Sequence, residues 1–250
     1  MIARADRMMD IIQGYNANTM SVAQMDSVLD NATGKGSAPR YRLEYKEEQK
    51  LFRHSFYAEY YLLDTQKGDT IALSDGPVRD AVMSPNGKYV VYAKSDNNLY
   101  IYKVDFKTEV AITTDTNTEI FNGISDWLYE EEFGVTSLFE ISPDSKLVAF
   151  VRLNESEVPS FEWQTYLGEN SYPQMHSLRY PRAGEANAKA TVCVYDIYYK
   201  SIRTMQLPDL KDAYFPRLRW GVLPEAENPT GIHWLIHQKH PCFPGRNVWI

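Results

Sequence analysis

Cysteine, surplus positive charge and long apolar runs are all scarce in this sequence. It has two cysteines, Cys193 and Cys242, too few for a disulfide framework, and their pairing stays open. Lys and Arg number 26 against 33 Asp and Glu, for a formal charge of −7. With no basic stripe to offset phosphate repulsion, nucleic acid is excluded as a partner. The acidic balance suits a protein that handles cationic or zwitterionic ligands, and equally one that is merely soluble. No stretch approaches the ~18 apolar residues of a membrane span. The opening Met1-Ile2-Ala3-Arg4-Ala5-Asp6-Arg7 also lacks the unbroken apolar region of a secretory leader. Two expectations follow: a cytoplasmic protein, or a chain that starts downstream of the natural N-terminus.

What remains is an ordinary globular composition, 44% hydrophobic and 24% charged, long enough to bury a sizeable core. The 18 tyrosines are its most unusual feature. Many fall at strand-like spacing, as in Tyr57, Tyr60, Tyr61 and Tyr100, Tyr102, where an aromatic ring packs well on a pleated surface. An all-β fold is expected. Residues 1–44 read differently: Ser21 and Gln24 have capping-box spacing ahead of Met25, Val28 and Leu29, predicting a short helix near 22–30. Asn31 to Pro39 is a loop by composition, and sheet-like sequence begins at Tyr41.

A repeat then emerges. Ser84-Pro85-Asn86-Gly87-Lys88 and Ser142-Pro143-Asp144-Ser145-Lys146 each open a tight turn, because proline fixes φ at one corner and Asn or Asp tolerates the next. An apolar strand follows each, Tyr89–Ala93 and Leu147–Val151. A second unit runs through Tyr60–Asp64, Leu99–Asp105 and Val192–Asp196, each ending in an aspartate that leads through a polar turn to another strand. Four antiparallel strands repeated at about 40 residues make a propeller blade. The fold expected is a partial β-propeller of about three four-stranded blades plus the start of a fourth. One blade ends near 74, one spans 78–114, an expanded one spans 118–208, and a new strand covers Tyr214–Trp220. The expansion carries a Pro-, Tyr- and Glu-rich excursion over 154–188, and such insertions gather on one functional face. An open arc leaves its flanking sheets without neighbours, so the chain is expected to be a piece of a longer protein. In 221–250 the alternation stops, and four prolines, three histidines and Cys242 crowd together. That tail is expected to be atypical: divergent, out of frame or disordered. His233 and His237 have a metal-compatible helical spacing, but Pro241 and Pro244 would end a helix promptly, and no metal site is expected. Asn31-Ala32-Thr33 and Asn154-Glu155-Ser156 match the glycosylation acceptor pattern, which matters only in a secreted eukaryotic protein.

Asp126-Trp127-Leu128-Tyr129-Glu130-Glu131-Glu132 is the segment with most chemistry. Taken alone it describes a capped helical turn with a solvated acidic face. It also suits a cation site. Two carboxylates held by aromatics could grip an α-ammonium group, mostly protonated at neutral pH, and so select a free peptide N-terminus. The stretch Phe121–Glu132 closely resembles the double-glutamate region of the dipeptidyl peptidase IV family. Leu51-Phe52-Arg53-His54-Ser55-Phe56, Asn154-Glu155-Ser156-Glu157-Val158-Pro159 and Tyr180-Pro181-Arg182-Ala183-Gly184-Glu185-Ala186-Asn187 resemble further family segments, colinear over about 45–220.

The resemblance implies an eight-bladed propeller in the whole protein, with three substrate-binding residues here. Glu131 and Glu132 would hold the substrate's ammonium group. Arg53, a rigid and always charged fork, would bind the carbonyl of the second substrate residue and orient the glutamates. Glu130 would be the less direct member. The family is a serine-type exopeptidase that releases N-terminal Xaa-Pro or Xaa-Ala dipeptides, commonly periplasmic, secreted or membrane-anchored. It uses a C-terminal α/β-hydrolase domain whose nucleophile sits in a Gly-x-Ser-x-Gly elbow. No such elbow occurs in these residues, so no catalytic residue and no cofactor is assigned, and the hydrolase domain is expected to lie elsewhere. The partners implied are peptide N-termini and that domain; a homodimer of the full-length form stays open. So do two other readings: a non-catalytic propeller that binds a peptide or protein partner, and a non-functional gene fragment.

Overall fold

The computed structural model describes residues 40–166, 172–206, 213–222, 232–240 and 243–249. Tyr41–Ile250 forms one compact unit, distinct from Met1–Arg40. The helix expected near 22–30 lies outside the described residues, and so does Cys242.

The first sheet is β1 (Tyr41–Lys50), β2 (Phe56–Asp64) and β3 (Thr70–Ala72), antiparallel in that order. The second is a four-stranded meander of β4 (Arg79–Met83), β5 (Tyr89–Ala93), β6 (Leu99–Lys103) and β7 (Thr108–Ala111). Next come β8 (Ile120–Asn122), helix α1 (Trp127–Phe133), β9 (Phe139–Ile141) and β10 (Leu147–Asn154). A hairpin of β11 (Ser160–Thr165) and β12 (Gln174–Arg179) follows, then β13 (Lys189–Asp196) and β14 (Ser201–Thr204). The third sheet runs β14-β13-β10-β8, with β9 also paired to β10. The hairpin forms its own two-stranded sheet and occupies the expected insertion. Last, β15 (Arg217–Val222), β16 (Ile232–His240) and β17 (Phe243–Trp249) make a three-stranded antiparallel sheet. The fold is the all-β partial propeller that the repeats predict.

Alternation along the central strands explains why the sheets stack. In β5, Val90 and Tyr92 enter a core with Leu62, Leu73 and Val78 of the first sheet region. Their neighbours Val91 and Ala93 enter the next core, with Ile124, Val148, Phe150, Cys193 and Tyr195. In β10 the pattern repeats: Val148 and Phe150 face that second core, while Ala149, Val151 and Leu153 face a third with Tyr129, Phe215 and Leu218. Period-two side chains with both faces apolar are what a strand sandwiched between two sheets requires.

The paired turns are built alike. The Ser84 hydroxyl donates to Asn86 at 2.8 Å and accepts from the Tyr89 amide at 3.0 Å. The Ser142 hydroxyl donates to Asp144 at 2.7 Å and accepts from the Leu147 amide at 2.9 Å. The left-handed corner falls on Gly87 (φ 70°) in one and Ser145 (φ 59°) in the other, and the Asn86 amide donates to the Ser145 hydroxyl at 3.1 Å, joining the two turns. The aspartate turns differ from expectation in one place. Asp64 and Asp196 each accept two backbone amides of their turn. Asp105 stands beyond the end of β6, which closes at Lys103, so Lys103 holds the equivalent strand-end position.

Candidate functional site

Helix α1 begins at a buried cap. The Asp126 carboxylate accepts the Tyr129 amide at 2.8 Å, satisfying a donor that the first helical turn leaves open. Eight residues after Asp126, Gly134 closes the helix in the left-handed conformation (φ 62°), its amide bonding back to the Glu130 carbonyl at 3.0 Å. Just upstream, Gly123 has φ 67° and lies so close to Leu99 that an added Cβ would stand 2.7 Å from Leu99 Cδ1. Only glycine meets both demands.

Successive residues of a helix point about 100° apart, so the three glutamates face different surroundings. Glu130 points inward and is fully buried. Its Oε1 accepts the His54 amide at 2.6 Å and the Ser55 amide at 2.8 Å. Those residues close the turn that carries Arg53, where the Leu51 amide donates to the Ser55 carbonyl at 3.0 Å. Glu131 sits at the rim, its side chain 17% exposed, and Arg53 Nη2 lies 3.2 Å from Glu131 Oε2. The Arg53 side chain is 69% exposed, leaving guanidinium donors open to solvent. Glu132 is exposed, and among the described residues no ion pair engages it. The structure thus brings Arg53 and Glu131 together, with Glu132 one position along the same short helix.

The other two segments that resemble the family also meet this helix. Tyr180 packs edge-on against Trp127 with ring centroids 5.0 Å apart. The Glu155 carboxyl hydrogen-bonds to Asp126. Both carboxyls are buried, at 8% and 3% exposure, and they border a small pocket also lined by Tyr129, Val158 and Tyr214. Burial first, then the Asp126 charge, pushes the Glu155 carboxyl well above the usual carboxylate range. Burial raises Asp126 as well, and the Tyr129 amide bond acts against that rise. Two acids this close and this dry hold a proton between them at neutral pH. Tyr129 fixes the far side of the helix: it is buried, and its hydroxyl accepts the Phe215 amide at 3.0 Å.

The sequence alone offers no role for Glu155, makes Glu130 the less direct glutamate, and carries no signal for Arg79 or Asp80. Arg79 is 1% exposed, an unusual place for a guanidinium. Its Nε donates to Asp80 at 3.0 Å, and its Nη2 donates to the Ser125 hydroxyl at 3.1 Å and the Thr136 carbonyl at 3.2 Å. The missing signal is physical: these partners lie 46 and 57 residues away in sequence.

Residues 38–232 match the family described as the dipeptidyl peptidase IV (DPP IV) N-terminal region. A probable dipeptidyl-aminopeptidase B of Aspergillus niger is 38% identical over 178 residues, covering 65% of this chain and 20% of that protein. Its counterpart in Emericella nidulans is 32% identical over 224 residues, 81% of this chain and 25% of that protein. Among solved structures, Porphyromonas gingivalis dipeptidyl peptidase 4 superposes with a TM-score of 0.70 at 32% identity, over 81% of this chain and 30% of that one. The chain therefore spans about a fifth to a quarter of the length of these two curated relatives.

Proposed function

The chain belongs to the dipeptidyl peptidase IV family, through that family's N-terminal region, and on that premise we propose that it recognises the free amino end of a peptide substrate for a serine exopeptidase. Glu131 and Glu132 receive the substrate ammonium group. Charge-assisted hydrogen bonds to two carboxylates favour a free N-terminus over an internal amide, which carries no charge to pair. Arg53 keeps one edge of its fork on Glu131 and offers the rest to the carbonyl of the second substrate residue. Acyl transfer is assigned to an α/β-hydrolase segment outside these 250 residues, with dipeptides ending in proline or alanine as products.

One observation carries this reading: the 3.2 Å approach of Arg53 to Glu131, made by a turn and a helix that the buried Glu130 ties together. An exposed ion pair by itself would be worth little. Here the helix supplies the neighbouring Glu132, and the guanidinium faces solvent with donors to spare.

Two measurements test it. The 250 residues alone should not hydrolyse an Xaa-Pro chromogenic substrate; turnover by them would remove the division of labour. In a longer chain that joins them to the hydrolase segment, Glu131→Ala or Glu132→Ala should lower kcat/KM by two or more orders of magnitude. Kinetics within twofold of the parent would take the ammonium away from these carboxylates.

A further inference from the structure

Residues 78–80 join the two halves of the proposed clamp. The Val78 amide and carbonyl each exchange a 2.9 Å hydrogen bond with Ala58 of β2, the strand that follows the Arg53 turn. On β2 itself the Tyr57 hydroxyl hydrogen-bonds to Arg79. The same guanidinium reaches Ser125, just before helix α1, and the Thr136 carbonyl, just after it. Asp80 completes the knot: it pairs with Arg79 and accepts the Thr136 hydroxyl at 2.8 Å. One ion pair, with Arg79 buried and Asp80 half-buried, therefore holds the strand behind Arg53 and both ends of the helix that carries Glu131 and Glu132.

The backbone at this point is unusual. Asp80 has φ 54° inside β4, and the β4–β5 register slips between Arg79 and Val82. A left-handed non-glycine residue in a strand costs free energy and persists where surrounding contacts over-determine it. A bulge of this kind re-aims side chains, and this one leaves Arg79 and Asp80, neighbours in sequence, both able to bond to Thr136. A regular strand would send them to opposite faces.

We propose that Arg79 and Asp80 are positioning residues for amine recognition, setting the separation of Arg53 from the glutamates without touching substrate themselves. The inference rests on the recognition role proposed above and extends it to residues that touch neither Arg53 nor the glutamates.

The test uses the full 250-residue chain and two probes, a free-amine Xaa-Pro peptide and its N-acetylated form, with Kd values from calorimetry. Their ratio measures amine selectivity, which a general loss of folded protein leaves unchanged. In Arg79→Lys the charge remains and the fork is lost. Its ratio should fall at least fivefold while the acetylated peptide binds as before. Thr136→Val, which removes the bond to Asp80 and keeps the carbonyl, should lower the ratio at least threefold, and it decides the matter if Arg79→Lys does not fold. Wild-type ratios in both folded variants, with Glu131→Gln still collapsing the ratio, would overturn the positioning role and leave the recognition reading intact. Equal affinity of wild-type protein for both probes would overturn the two together.

Discussion

Two carboxylates near helix α1 carry separate tasks, and environment assigns them. Glu130 is an acceptor for two backbone amides that no water reaches. Glu130→Ala strands both donors, at about 1–3 kcal/mol each, and should lower stability by roughly 2–6 kcal/mol. Glu130→Gln keeps a carbonyl oxygen for those amides, so it should recover most of that loss; equal melting midpoints for the two variants would contradict the account. Glu155 is governed by its proton. Its carboxyl has a free value of 4.5, and burial beside the Asp126 charge raises it in the fold, opening a window between the two values. Across that window the folded state holds a proton that the unfolded chain has released. Stability therefore falls as pH rises, by up to about 1.4 kcal/mol per unit, and the loss is complete above the folded value. Glu155→Gln mimics the protonated acid and lacks the titration. Melting curves from pH 5 to 8 should show the wild type losing stability relative to this variant, and parallel curves would exclude the shared proton.

At the scale of elements, local features were the legible ones. The Ser-Pro-Asx turns could be read because their hydrogen bonds close within five residues, so each turn's sequence contains nearly all of its own cause. Strand alternation in Tyr89–Ala93 and Leu147–Val151 was equally direct, since both faces of each strand are buried. Asp105 reads as a strand end because an aspartate within a turn resembles one that closes a strand. Nothing local shows which of three consecutive glutamates turns inward; helix phase against the His54–Ser55 backbone decides that. Arg79 was invisible for the same reason: its meaning lies in partners on other elements. Gly123 gives a test at this level. Alanine there meets a positive φ and Leu99 together, and should cost about 2–5 kcal/mol, the sum of conformation and overpacking. Gly87→Ala meets a positive φ of 70° with nothing within 4 Å, so its loss should be smaller, near the ~1–2 kcal/mol of conformation alone. Reversed denaturant midpoints would mean that the Gly123–Leu99 approach does not constrain the motif.

On the scale of the molecule, the second and third sheets bury their faces against neighbouring sheets, so stability is largely a sum over adjacent pairs. The 250 residues on their own, with sheet edges that can pair with other chains, should unfold at low denaturant and associate as concentration rises. A cooperative, monomeric melt at high temperature would contradict that. Through this scaffold the turn carrying Arg53 reaches a helix more than 70 residues further along the chain, and recognition of a charged amino end is what the meeting is proposed to achieve. The most direct test is the affinity of the wild-type chain for a free-amine Xaa-Pro peptide from pH 6 to 10. An α-amino group loses its charge around pH 8. Affinity should be level below that point and fall about tenfold per pH unit above it, while the acetylated peptide shows no such fall. A free-amine profile that stays level to pH 10 would show that the ammonium group is not what Glu131 and Glu132 bind.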